Sequence, residues 1–349
     1  MASDWDGKKM ASIISARGAA SWSVSSREVG ASKVLTDGDH VYALGYTSEA
    51  NPTPVMRLFS TDGRLQWDKR YAELRDYSFA DAVIAPDGIL VVAVPFYTAP
   101  GSQSAYLLKI GADGELRTRV EFTLDTSGVV IGTRAVMQPL GDRIVLVVNR
   151  GATSVVNQRD VNLIGLHQIC HANAAAVVFE FDRDDLKLMS TRSVAAFRAD
   201  ALKAWNGELY LGGEAFPDCA LFGSAALYKL GGSDQLVWHD SDLITGSVSG
   251  LAATAEGLWV AVSYERPFIV PSLSGPISAA YNKRDAESDS PFREAAIYKL
   301  AADGSLAPVQ TLAAGLSIYV MGLEADRDGQ PPIMFGEMGG MPAASRLPN

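Results

Sequence analysis

The sequence has few of the residues that build metal centres, disulfide scaffolds and nucleic-acid sites. Its 349 residues include two cysteines and four histidines, and 40 acidic residues against 30 basic ones give a formal net charge of −10. Binding to phosphate backbones or anionic lipid needs clustered Lys and Arg, so this charge disfavours nucleic acid and membrane surfaces as partners. Two cysteines are too few for a disulfide scaffold, although they suffice for one bridge.

Long apolar segments are absent as well. No run of about 18 apolar residues occurs, so the sequence predicts no membrane insertion and a soluble chain. The first residues, Met1–Asp6, contain no basic region followed by an apolar stretch. We therefore expect a mature chain without a signal peptide.

What the sequence does contain is an internal repeat. Six short apolar runs each follow a turn that contains a glycine, and successive glycines are 50, 53, 66, 50 and 72 residues apart. These glycines are Gly38, Gly88, Gly141, Gly207, Gly257 and Gly329. The first five runs are each followed by a hairpin whose turn resembles Asp62-Gly63, a type that tolerates positive φ. Four short antiparallel strands in each of six repeats predict an all-β fold, a six-bladed β-propeller.

The last repeat is incomplete at the C-terminus, because only 20 residues follow Gly329. The segment Ser15–Trp22 matches Ser60–Trp67, with Ser, Gly and Trp in the same register. We therefore expect N-terminal residues to supply the outer strands of the last blade and C-terminal residues its inner strands. The prediction is a single domain, 1–349, with blades at about 31–74, 79–124, 131–194, 198–243, 247–313, and 317–349 plus 8–29.

The repeat resembles the loosely defined blade of bacterial extracytoplasmic β-propeller proteins. Its parts are a glycine turn, a strand such as Val41–Ser48, a variable loop and a hairpin such as Arg57–Trp67. The resemblance covers nearly the whole chain and implies a propeller that is periplasmic or secreted. It implies no particular activity, because propellers host both binding modules and enzymes. We expect a monomer and no cofactor.

Two insertions mark the face on which function is expected. The longer glycine spacings place them at about 149–174 in blade three and 264–294 in blade five, between the second and third strands of each blade. Long loops without regular patterning usually bind something or are disordered.

Cys170 ends the first insertion and Cys219 lies in the equivalent loop of blade four, which predicts a Cys170–Cys219 disulfide. The alternative is a weak metal site that uses His167, His171 and Asp218, and surface histidines are a third interpretation.

The first strands of the blades carry a second candidate site. Counting back seven residues from each glycine gives Ala31, Asp81, Arg134, Asp200, Gly250 and Gly322. Asp81, Arg134 and Asp200 then fall on adjacent blades, close to Arg198 and Tyr77. An arginine between two carboxylates can hold neighbouring blades in register, or the group can form a pocket for a polar ligand.

These features leave two hypotheses for the function of the protein. The blade-five insertion holds the apolar residues Phe268, Ile269, Val270 and Leu273, which can dock a protein partner or form a lid. The first hypothesis is a non-catalytic binding protein that engages a protein or a polar small molecule through the loop face of blades three to five. The second is a hydrolase or lyase that acts on a sugar or lactone. No nucleophile elbow, phosphate loop or strong metal motif is present, so the catalytic residues are unknown.

Overall fold

The computed structural model describes most of the chain. The described residues are 2–3, 9–13, 22–26, 29–47, 51–98, 101–126, 130–131, 134–150, 174–216, 223–240, 246–264, 294–312, 318–325, 331–338 and 341–347. They form two compact units, Met1–Ala199 and Asp200–Asn349.

The first unit contains an N-terminal sheet and three blades. The N-terminal sheet is β1 (Ala2–Ser3), β2 (Lys9–Ile13) and β3 (Trp22–Ser26). Blade one is β4 (Val29–Thr36), β5 (His40–Thr47), β6 (Pro54–Ser60) and β7 (Leu65–Arg70). Blade two is β8 (Tyr77–Ala85), β9 (Gly88–Pro95), β11 (Gly101–Ile110) and β12 (Leu116–Thr126). Blade three is β14 (Ala135–Leu140), β15 (Arg143–Arg150), β16 (Ala175–Asp182) and β17 (Leu188–Ala195). A short pair, β10 (Tyr97–Thr98) with β13 (Val130–Ile131), and a 3₁₀ turn at Ala72–Leu74 complete it.

The second unit contains the remaining blades. Blade four is β18 (Phe197–Trp205), whose first three residues belong to the first unit, with β19 (Glu208–Ala215), β20 (Ser224–Leu230) and β21 (Gln235–His239). Blade five is β22 (Gly246–Thr254), β23 (Gly257–Tyr264), β24 (Glu294–Leu300) and β25 (Leu306–Leu312). Blade six is β26 (Ile318–Glu324), β27 (Ile333–Met338) and β28 (Met341–Arg346).

The strand order within the sheets identifies the fold. Five sheets have four strands, each paired antiparallel with its neighbour along the chain, and the described part of blade six has three. Six consecutive antiparallel sheets of this kind make the chain a six-bladed β-propeller, which confirms the predicted fold class. Strands β1–β3 pair with one another, and the closure of blade six by residues 8–29 and the single-domain organisation stay predictions.

A β-bulge recurs in the first strand of four blades. The strand pairing skips one residue in each case: Ser32, Ala80, Ser249 and Met321. A bulge bends its strand and redirects the next side chain. The residue that follows each bulge is therefore the equivalent position from blade to blade.

Apolar side chains pack between neighbouring blades within each unit. In the first unit, one cluster joins blades one and two around Phe79 and another joins blades two and three around Phe181. In the second unit, one cluster joins blades four and five around Val260 and another joins blades five and six around Ile297. Blades two and five thus bury both sheet faces, which agrees with the nearly continuous apolar sequence of their second strands, β9 and β23.

The outer hairpin turn of blade two also packs on blade one. The Trp67 Nε1 donates a hydrogen bond to the Ala112 carbonyl oxygen at 3.1 Å, and the Tyr71 hydroxyl donates to the Gly114 carbonyl oxygen at 2.9 Å. Gly114 has a φ of +78°, and a Cβ there would lie 2.8 Å from the Lys69 side chain. The Asp-Gly turn is therefore required for the contact with the neighbouring blade as well as for the hairpin.

Candidate functional site

Asp81 joins three consecutive blades of the first unit. It is the residue after the bulge of β8 and is 5% exposed. The Lys33 Nζ of blade one lies 2.7 Å from its Oδ1, which also accepts a hydrogen bond from the Ala82 backbone N–H at 2.9 Å. Its Oδ2 accepts from the Met137 backbone N–H of blade three at 2.7 Å. Both carboxylate oxygens are therefore engaged in holding the blades together.

The partner of Asp81 differs from the one that the sequence predicted. Lys33 follows the bulge of blade one, two residues beyond the predicted equivalent Ala31. In blade three, Val136 pairs with Val147 at the corresponding place, two residues beyond Arg134. The count from the glycine was wrong there because Gly38 and Gly141 lie two residues before their second strands, whereas Gly88 opens β9. Lys33 thus takes the place that the sequence gave to Arg134.

In blades five and six, the residue that follows the bulge is a glycine, Gly250 or Gly322. A Cβ on Gly250 would lie 2.9 Å from the Gly322 Cα and 2.8 Å from the Leu323 nitrogen. The two first strands of these blades therefore approach too closely for any larger residue. An ion pair fills this position between blades one and two, and direct backbone packing fills it between blades five and six.

Three further buried polar residues were missed by the sequence analysis. Asn149 and Glu214 are each the seventh residue of a second strand, as is Ser263, and each is less than 10% exposed. The Asn149 Nδ2 donates to the Ala199 carbonyl oxygen at 2.8 Å, and its Oδ1 accepts from the Ala199 N–H at 2.7 Å. The signal was present in the sequence, because one polar residue interrupts each apolar run at the same place.

Ser263 and Glu214 form related contacts in the second unit. The Ser263 hydroxyl accepts from the Val320 N–H at 3.1 Å and contacts the Ser249 hydroxyl at 3.0 Å, which ties blade five to blade six. The Glu214 Oε1 accepts from the Gly223 N–H at 3.1 Å, at the point where the loop of blade four returns to the sheet. A Cβ on Gly223 would lie 2.1 Å from the Glu214 Cγ, so a larger residue there would displace the Glu214 side chain.

The other predicted polar residues lie near the starts of the first strands. Arg134 is exposed just before β14, and its carbonyl oxygen accepts from the Asn149 N–H at 3.3 Å. Arg198 and Asp200 are half-buried in β18. Asp200 belongs to the second unit, where its Oδ2 accepts a hydrogen bond from the Ser247 hydroxyl of blade five. Whether these residues bind a ligand stays a prediction.

Tyr77 belongs to an aromatic cluster on blade two. Its ring centroid lies 5.2 Å from that of Tyr106, and its hydroxyl donates to the Ser104 carbonyl oxygen at 3.2 Å. The Arg119 Cζ lies 3.7 Å from the Tyr106 ring centroid, within the range of a cation–π contact. Burial, followed by the hydrogen bond with Tyr106, raises the pKa of Tyr77 to about 12. The phenol is therefore neutral at physiological pH and acts as a hydrogen-bond donor.

The remaining predicted site residues lie outside the described residues. These are Cys170 and Cys219, His167, His171 and Asp218, and the apolar Phe268, Ile269, Val270 and Leu273. Within the described ranges, no three His, Cys, Asp or Glu side chains come together as a metal site. In the same part of the chain, no helix has the length and apolar character needed to cross a membrane.

Comparisons with known proteins found alignments with solved structures at low sequence identity. No protein-family profile matches the chain, and no curated protein sequence matches it. Among solved structures, the propeller domain of the Trilobed protease from Pyrococcus furiosus aligns over 92% of this chain and 98% of that chain, with 8% identity and a TM-score of 0.44. An acylaminoacyl peptidase from Pyrococcus horikoshii aligns with 10% identity and a TM-score of 0.44.

A subtype N10 neuraminidase-like protein of A/little yellow-shouldered bat/Guatemala/060/2010 aligns over 89% of this chain and 91% of that chain, with 8% identity and a TM-score of 0.47. The alignment with the acylaminoacyl peptidase covers 88% of this chain and 49% of that chain, so this chain spans about half the length of the peptidase. Similarity at this level adds nothing to the fold assignment, which rests on the blades themselves.

Proposed function

We propose that this chain is a non-catalytic, extracytoplasmic binding propeller that holds a protein partner or polar ligand through the loops of blades three to five. The observation that supports the non-catalytic role is the environment of Asp81. A general acid or base must reach the reacting group of the substrate. Asp81 is 5% exposed and both of its oxygens are already bound, so its chemistry is used to join blades.

The strands that flank the two insertions support the use of the loops. β15 and β16 are paired up to Arg150 and Ala175, and β23 and β24 are paired up to Tyr264 and Glu294. Each insertion therefore leaves and re-enters its blade at directly opposite residues. A long loop on a rigid hairpin is a common way to present a binding surface.

This pairing allows each insertion to be removed cleanly. Replacing residues 265–293 by Asn-Gly should close β23 and β24 with a two-residue hairpin turn, because Tyr264 and Glu294 are already opposite one another. The same replacement of 151–174 joins Arg150 to Ala175. The matched control replaces residues 48–50 of blade one, where Tyr46 and Pro54 are paired and no insertion was predicted, and it keeps Pro52, whose carbonyl oxygen accepts from the Asp76 N–H.

The test is affinity capture from the envelope fraction of the source organism by the full chain and the three variants. We expect a protein captured by the full chain and by the control variant to be lost from the blade-three variant, the blade-five variant or both, while all four proteins melt cooperatively. Equal capture by all four would contradict the role of the loops. Turnover of a sugar or lactone that disappears on Asp81→Asn substitution would contradict the non-catalytic role.

The extracytoplasmic location has its own test. A Cys170–Cys219 bridge would persist only in an oxidising compartment. Peptide mass spectrometry of the unreduced protein, isolated from its natural source, should give a Cys170–Cys219 disulfide peptide. Complete alkylation of both cysteines without reductant would contradict the predicted bridge.

A further inference from the structure

We infer that Arg119, on the outer strand of blade two, is a recognition point for a carboxylate on an acidic peptide segment of a protein partner. This inference goes beyond the proposed function, because Arg119 lies in β12 of blade two, whereas the proposed function uses the loops of blades three to five. It rests on the placement of the guanidinium and on its lack of a carboxylate partner among the described residues.

The guanidinium of Arg119 is stacked on the ring of Tyr106. Its Cζ lies 3.7 Å from the centroid of the Tyr106 ring, and Tyr106 is 8% exposed. The ring of Tyr106 is packed in turn against Tyr77, whose hydroxyl is bound to the Ser104 carbonyl oxygen. A guanidinium stacked on a fixed ring loses less conformational entropy on binding than a free side chain does.

The charge of Arg119 is not neutralised within the described part of the chain. Other basic side chains of blades one and two are paired: Lys69 with Glu115, Lys109 with Asp87, and Arg117 with Asp113. Arg119 makes the ring contact and no ion pair among the described residues. Glu121, the nearest acidic residue along the strand, accepts a hydrogen bond from the Ser104 hydroxyl instead.

The chemistry of the site selects the class of ligand. A planar guanidinium with unused N–H donors binds a carboxylate through two parallel hydrogen bonds. A nucleic acid needs several clustered cations, and this chain has a net charge of −10 and a carboxylate two residues away at Glu121. A single glutamate or aspartate side chain of a peptide therefore fits better than a polyanion.

The test is a titration of the full chain with two blocked peptides, acetyl-Gly-Glu-Gly-amide and acetyl-Gly-Gln-Gly-amide, at constant ionic strength. The peptides have the same shape and differ by one charge. The ring resonances of Tyr106 and Tyr77 report binding in protein that carries labelled tyrosine. We expect a saturable shift with the glutamyl peptide and none with the glutaminyl peptide.

Variants separate recognition from a packing role. Arg119→Gln should abolish the shift, and Arg119→Lys should weaken binding because it keeps the charge but loses the planar fork. Glu121→Gln should strengthen binding by about threefold, since it removes a nearby like charge. Equal responses to both peptides, no response to either, or an unchanged response in Arg119→Gln would overturn the inference, provided that the melting temperatures of the variants match that of the parent.

Discussion

The side-chain amide of Asn149 binds both the N–H and the carbonyl oxygen of Ala199, so one side chain of blade three bridges to the first strand of blade four. The amide donates at 2.8 Å and accepts at 2.7 Å, and Asn149 is 8% exposed. Removing it leaves a buried donor and a buried acceptor without partners. Asn149→Ala should therefore lower the free energy of unfolding by roughly 2–4 kcal/mol.

The measurement is urea unfolding at 25 °C, with Ser193→Ala on the exposed outer strand β17 as the control that should change stability by less than about 0.5 kcal/mol. Asn149→Asp should be nearly as harmful as alanine, because a carboxylate can accept from the Ala199 N–H but cannot donate to its carbonyl. Wild-type stability in Asn149→Ala would show that the bridge contributes nothing.

The ion pair between Lys33 and Asp81 should be coupled in a double-mutant cycle. The side chain of Lys33 is 40% exposed and that of Asp81 is 6% exposed, so solvent screens the lysine but not the carboxylate. Lys33→Met should cost about 1–2 kcal/mol, because it leaves the carboxylate buried with backbone donors alone. Adding Asp81→Asn to Lys33→Met should cost less than Asp81→Asn costs in the parent. Strict additivity of the two changes would argue against a direct interaction.

Gly250→Ala should destabilise the second unit. The added methyl would lie within 2.9 Å of backbone atoms of Gly322 and Leu323, which cannot rotate away as a side chain can. Overpacking of this kind costs roughly 1–3 kcal/mol. Gly231→Ala is the matched control, because nothing lies within 4 Å of a Cβ at that position. The difference in thermal midpoint between the two variants measures the effect, and equal midpoints would contradict close packing of the strands.

Alkaline pH should lower the free energy of unfolding, because buried tyrosine side chains become ionised. Burial raises the pKa of Tyr77 to about 12 and also raises the pKa values of Tyr71 and Tyr264 above the ordinary 10.0. Folding thus favours the neutral phenol, so the full stabilisation is present below pH 10. It is lost as the pH rises from 10 towards 12, because the unfolded chain ionises first.

The measurement is the free energy of unfolding at pH 8, 10 and 11. We expect a decline above pH 10 that becomes less steep in Tyr77→Phe and Tyr264→Phe, since each variant removes one ionisation. A profile that is flat to pH 11, or a decline that is unaltered in both variants, would contradict this account.

The fold could be predicted from the sequence because its signals are local. Glycine turns, runs of apolar residues and Asp-Gly hairpins recur within each repeat, and each blade is a meander of strands adjacent along the chain. The register of the first strands was predictable only in part. Asp81, Gly250 and Gly322 follow their bulges as the glycine count required, but Lys33 and not Ala31 does so in blade one.

The contacts between blades could not be predicted in the same way. The bonds from Asn149 to Ala199 and from Asp81 to Met137 join residues 50 and 56 positions apart, and each ends on a backbone group that any residue except proline carries. The residue types at positions 137 and 199 therefore do not predict that the backbone there will be bound by a side chain of another blade. Only the interruption of an apolar second strand by one polar residue pointed to such a role.

The same backbone partners have a consequence for how such a chain could be rebuilt. Because Asp81, Asn149 and Ser263 each bind main-chain atoms of the following blade, each of these polar contacts is encoded on one side only. A blade from an unrelated propeller, grafted in place of the blade that follows any of these residues, would need no matching side chain to keep the polar contact. The contact would be retained as long as the backbone of the graft followed the same path at the bound residue.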